Sequence, residues 1–63
     1  MMTIKEYRAA ILKAMLEKKD ERGNAVIEEK EAEELLDSFS DDELQDGILW
    51  NTPEDVAEML LED

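Results

Sequence analysis

The residues Ser38-Phe39-Ser40-Asp41-Asp42-Glu43-Leu44 end one helix and begin another, and they set the reading of the whole chain. Ser40 followed three residues later by Glu43 forms a capping box, in which the hydroxyl accepts from the N–H three positions on and the carboxylate reaches back to the N–H of the cap. Phe39 and Leu44 stand where apolar side chains clasp across such a start. The same arrangement recurs at Thr3 with Glu6, flanked by Met2 and Tyr7, and at Thr52 with Asp55. At the latter, Pro53 takes the first helical position, where its missing N–H would have had no partner anyway.

These three starts predict helices over 4–19, 41–49 and 53–62. A fourth is required over 28–38, where Ala32, Leu35, Leu36 and Phe39 recur at helical spacing. No strand pattern of useful length competes. The expected fold is therefore all-α, a compact bundle of about four short helices forming a single small acidic domain over 1–63. Between the first two helices the chain must turn. Lys18 and Lys19 suit a helix C-terminus, and Gly23-Asn24 supplies residues tolerant of positive φ, so helix 1 is expected to end at Gly23 or a little before. Ala25-Val26-Ile27 reads as a short extended link that drops Val26 or Ile27 into the core. Gly47 weakens the third helix by about 1 kcal/mol relative to Ala and marks either a close helix crossing or an early stop.

The core has to be thin, because a 63-residue chain buries only about 60% of its extended surface on folding. Leu, Ile, Val and Phe number 15 of 63, above the roughly 20% floor below which highly charged chains stay disordered, so a folded domain is expected. With no Cys and no His, disulfides, thiolate or imidazole metal sites, a Cys nucleophile and a His base are all excluded. Paired acids work as general acid and base only in a cleft that excludes water, and a domain of this size rarely offers one. Three of the four Ser and Thr hydroxyls already serve as caps, and two glycines make no phosphate cradle. The expectation is a protein that is not an enzyme and uses neither cofactor nor metal.

Charge is the most informative feature. The chain carries 19 acids against 7 bases, a net −12, which disfavours direct binding to nucleic acid or to an anionic membrane. Residues 1–22 hold six of the bases and four of the acids, whereas 23–63 hold only Lys30 against fifteen acids. A slightly basic first helix is thus joined to a strongly acidic body, an asymmetry that favours their docking on one another. The apolar run from Ala9 to Leu16 is interrupted by Lys13, and Glu6 sits where a signal peptide would be basic. No secretory or spanning segment is read, and a cytoplasmic location is expected by default.

Surplus apolar surface bears on partners. On a helical wheel, Ile4, Tyr7, Ala10, Ile11, Ala14 and Met15 form the core arc of helix 1, while Leu12 and Leu16 lie off it as a ridge of their own. That ridge is either covered by other helices of the same chain or open to a second copy or a target. In helix 4, Val56, Ala57, Met59, Leu60 and Leu61 spread over more than half the circumference. Two helices with excess apolar surface suggest a homodimer, which would also relieve the thin core. Trp50, the only Trp, is expected to cover the end of the core against helix 4; the competing reading makes it a binding hot spot.

Residues 20–31, Asp20-Glu21-Arg22-Gly23-Asn24-Ala25-Val26-Ile27-Glu28-Glu29-Lys30-Glu31, resemble a twelve-residue EF-hand calcium loop, with Asp first, Asn fifth, Ile eighth and Glu twelfth. The resemblance implies Asp20, Asn24, the Val26 carbonyl, Glu28 and Glu31 as ligands. It departs from that family at Arg22, a cation at the third position where an oxygen is needed, and at Ala25, where the sharp turn calls for glycine. The plain alternative is a helix-turn-helix connection.

A net charge of −12 exceeds the magnitude of about 2 to 8 that keeps a small domain soluble. The excess points to a small acidic protein-binding module, an inhibitor or adaptor docking on a basic or nucleic-acid-binding surface of a partner protein. Phosphate mimicry by an array of helical carboxylates, as in small acidic phage-encoded inhibitors, is one form this takes. Asp41, Asp42 and Glu43 have a structural reason to exist at a helix N-terminus. Glu33, Glu34 and Asp37 have none, and are the best candidates for partner contact, with Leu12, Leu16 and Trp50 as the apolar candidates. The alternative class is a structural homo-oligomeric subunit with no separate ligand.

Overall fold

The computed structural model describes residues 2–61, and these form four helices: α1 (Ile4–Glu17), α2 (Glu29–Asp37), α3 (Asp41–Gly47) and α4 (Pro53–Leu61). The first and third begin as their capping boxes require. Thr3 and Ser40 accept from the N–H of Glu6 and Glu43, at 3.1 and 3.2 Å, and each Glu bonds back to the N–H of its cap, at 3.0 and 3.3 Å. At α4 only half of the motif forms. The Asp55 N–H donates to the Thr52 hydroxyl at 3.1 Å, and Asp is one methylene too short to favour the return bond that Glu makes. α2 begins at Glu29, after Glu28 as an N-cap residue that makes no side-chain cap bond, so its start is set by the link before it.

That link corrects the expected end of the first helix. α1 stops at Glu17, because Lys18 is extended, with φ −67° and ψ 133°. From there the chain folds back on itself. Lys19 pairs with Ala25 in an isolated antiparallel bridge, with the Asp20 N–H donating to the Asn24 carbonyl at 2.8 Å. Within the turn, Asp20 Oδ1 accepts from the N–H groups of Arg22 and Asn24. The positive φ of Gly23, 84°, therefore serves this turn and not a helix cap. Of the two candidates for the core, Ile27 goes in at 8% exposed and Val26 stays out at 47%.

α2, α3 and α4 each pack on α1. The core runs along α1 through Tyr7, Ile11 and Met15, closed by Ile27, by Ala32 and Leu36 of α2, by Leu44 of α3 and by Val56 and Ala57 of α4. No polar or charged side chain is buried among the described residues. α3 ends at Gly47, two residues short of its expected end. The Gly47 carbonyl accepts from the N–H groups of Trp50 and Asn51, at 3.0 and 2.8 Å, which turns the chain toward α4. A β-carbon at Gly47 would meet the side chain of Asn51, so the glycine marks the early stop and no helix crossing. The expected last residue of α4, at 62, lies outside the described residues. No helix among the described residues is long and apolar enough to cross a membrane.

Candidate functional site

The charge asymmetry between the first helix and the rest is realised as contacts. Arg8 on α1 is the hub. Its Nε bonds Asp41 Oδ1 at 2.7 Å, its Nη1 donates to the Leu36 carbonyl at 3.2 Å, and its Nη2 donates to the Phe39 carbonyl. One guanidinium thus adds a charged donor to the Leu36 carbonyl, which also accepts from the Phe39 N–H, satisfies the Phe39 carbonyl beyond the end of α2, and ties both to the first residue of α3. The Ser38 hydroxyl takes the Leu35 carbonyl at 2.6 Å. At the other end of α1, Lys18 Nζ reaches Glu58 Oε1 of α4 at 2.7 Å. Tyr7, almost fully buried, donates its hydroxyl to the Asn51 carbonyl at 2.9 Å across 44 residues of sequence. Burial, and secondarily the nearby Asp55 carboxylate, hold the Tyr7 phenol above its ordinary pKa of 10.0. The Thr3 N–H and hydroxyl hold exposed Glu6 below the ordinary carboxylate value.

The six residues expected to bind a partner fall in two places. A shallow groove between α1 and α2, lined by Arg8, Ala9, Leu12, Glu33, Leu36 and Asp37, brings together Leu12, Glu33 and Asp37. Glu34 is exposed one residue further along α2. Leu12 and Leu16 are only half-buried, yet both pack against the core, so the domain wraps α1 on two sides and their ridge is largely covered by the chain itself. Leu35, expected on the core face of α2, is 39% exposed.

Trp50 corrects an expectation outright. It does not cover the end of the core: it is 83% exposed, and its neighbour Leu49 is 64% exposed. The reason is local. After the turn that ends α3 at Gly47, Ile48 packs against the core while Leu49 and Trp50 stay in solvent, and the chain is fixed at Asn51 by its bond from Tyr7. Met2, Ile48, Leu49, Trp50 and Pro53 edge a depression at this tip. On the other side of Tyr7 and Asn51 lies a half-open cleft between α3 and α4 of about 260 Å³, lined chiefly by Phe39, Leu44, Val56, Met59 and Leu60, with Glu43 at its edge. Met59 is 56% exposed. Sequence periodicity showed that α4 has too much apolar surface, but not that the surplus would face a cleft.

The loop that resembles an EF-hand connects two helices, and one Asp20 carboxylate oxygen is taken up by two backbone N–H groups of its own turn. Among the described residues no group of three or more acidic side chains is gathered to hold a metal ion. The chain matches no known protein-family model, and comparisons with curated proteins and with solved structures return no significant match.

Proposed function

We propose that this chain is a small, non-catalytic protein-binding module that docks on a basic surface of a partner protein, such as a nucleic-acid-binding surface, and acts there as an inhibitor or adaptor. The observation that carries this reading is the position of Trp50. A domain with so thin a core leaves its largest apolar side chain in water, beside an exposed Leu49, and buried Trp side chains are enriched among the residues that dominate binding energy. The charge around it favours a basic counterpart: α3 and α4, which flank the tip, carry acids and no base. In such a pairing the carboxylates speed encounter and the apolar anchor slows dissociation.

The test is capture of partners from source lysate at low and high salt, with wild type, Trp50→Ala and a Glu33→Lys, Glu34→Lys, Asp37→Lys variant as baits. The expected result is a protein retained by wild type at low salt, weakened as screening increases, and lost with Trp50→Ala. Slower association of the triple variant with that protein, with a flatter salt dependence, would place Glu33, Glu34 and Asp37 at the contact; an unchanged on-rate restricts the interface to the Trp50 tip. If no protein is retained, or if retention ignores both salt and Trp50, the docking reading fails. Light scattering that shows a stable dimer broken by Trp50→Ala would favour the homo-oligomeric subunit instead.

A further inference from the structure

Among the described residues, the cleft between α3 and α4 is an apolar recess whose size and charge bear on what could occupy it. At about 260 Å³ it exceeds the roughly 150 Å³ that suffices to hold a benzene ring. It falls short of the range from about 300 Å³ upward typical of sites that enclose a whole small ligand. The match is to one large side chain presented by something bigger. The wall is apolar, from Leu44, Val56, Met59 and Leu60, with Tyr7 on its floor. The Tyr7 hydroxyl is already satisfied by Asn51, so the floor offers a guest contact area without demanding a polar partner.

The rim restricts the guest further. Glu43 lines the cleft while its carboxylate caps Ser40; beyond the lining, Asp46 lies three residues further along α3 and Asp55 four residues before Met59 on α4, where its charge acts on the Tyr7 phenol. The two bases that reach these helices are occupied at other acids, Arg8 at Asp41 and Lys18 at Glu58. Neither α3 nor α4 has a base of its own. An apolar seat with one carboxylate in its lining and further acids, but no base, on the two helices that form it is the complement of an apolar side chain flanked by Lys or Arg.

From this we infer that the α3–α4 cleft receives one large apolar side chain, aromatic or leucine, from a basic amphipathic helix of the partner, whose flanking Lys or Arg side chains pair with Glu43, Asp46 and Asp55. The inference rests on the docking reading above and names the chemistry of what docks. A helix is proposed as the presenting element because its i, i+3 and i+4 spacing puts an anchor and its flanking charges on one face.

The probes are three synthetic peptides of one helical pattern: Lys/Leu, its charge-reversed Glu/Leu counterpart, and Lys/Ser, which keeps the charge and lacks the anchor. Titrated into the isotope-labelled protein, the Lys/Leu peptide is expected to shift the methyl signals of Leu44, Val56, Met59 and Leu60. The other two peptides should bind at least about tenfold more weakly, which is about 1.4 kcal/mol. Met59→Arg, at an exposed position, and the pair Asp46→Lys with Asp55→Lys are each expected to weaken Lys/Leu binding by a similar factor while the amide spectrum stays that of a folded chain. Equal binding of Lys/Ser would show that charge alone acts and would overturn the seat. Shifts confined to the Trp50 indole or the Leu12 methyls would also overturn it, while leaving docking through the acidic surface in place. Failure of the Lys/Leu peptide to bind anywhere removes the cleft as a receptor, and the lysate capture then judges the wider reading separately.

Discussion

The two sides of α1 handle the same excess of negative charge in opposite ways. On the side facing α2, Arg8 reaches across to the end of that helix and the start of the next, so the acid it meets is consumed in holding the fold together. On the side between α3 and α4, Glu43, whose carboxylate also caps Ser40, lines an apolar cleft with no base on either helix. The first arrangement is closed and structural, and the second is open and unbalanced. In a small acidic domain, then, a carboxylate's sequence position says little about its role, and what distinguishes the roles is whether a cation of the same chain can reach it.

The sharpest way to break this contrast is to remove the hub. Arg8→Ala should cost about 2 kcal/mol in chemical denaturation, mainly because the Leu36 and Phe39 carbonyls lose a charged donor. The exposed ion pair with Asp41 contributes little of this. Arg8→Lys should recover only part of the loss, since a single ammonium nitrogen cannot stand within reach of three acceptors that Nε, Nη1 and Nη2 meet separately. A neutral Arg8→Ala would mean that the closed side is no more structural than the open one.

Next in size is the joint between the two sides. Tyr7→Phe keeps the ring and deletes the bond to the Asn51 carbonyl, and should cost about 1 kcal/mol. It should also change the alkaline limb of stability. With its folded pKa raised above 10.0, Tyr7 contributes stability that is fully present below the unfolded value and is lost as pH rises beyond it. Thermal melts from pH 9 upward should therefore fall more steeply for wild type than for Tyr7→Phe.

Smaller effects separate the helix starts. Ser40→Ala, which dismantles a two-way capping box, should lower stability by about 1 kcal/mol. Thr52→Ala, which removes a one-way cap behind a proline, should fall at the lower end of the range, about 0.5 kcal/mol. If Thr52→Ala proves the more costly, the half-formed motif is not the weaker one. The smallest change is expected at the tip, where Trp50→Ala should leave stability within about 0.5 kcal/mol while abolishing partner capture. A large stability loss there would return Trp50 to the core and take with it the observation on which the docking reading stands.

What the amino-acid sequence determines here is local. The three cap signatures place the starts of α1, α3 and α4 to the residue, because a capping hydroxyl and its partner acid lie within one turn and need nothing from the rest of the chain. The helical spacing of Ala32 and Leu36 places α2 for the same reason, and the composition excludes thiol and imidazole chemistry. Helix ends were less legible: α1 and α3 each stop two residues early, since a C-terminus depends on where the chain must go next, toward the 18–26 turn in one case and toward Asn51 in the other. Only the tertiary structure decided which apolar side chains are surplus. Ile27 and not Val26 enters the core, Leu12 and Leu16 are half-covered, and Trp50 stays in solvent while Tyr7, bonded to a carbonyl 44 residues away, is buried. Such choices turn on competition for one limited volume between residues distant in sequence, and neither periodicity nor charge count along the chain carries that information.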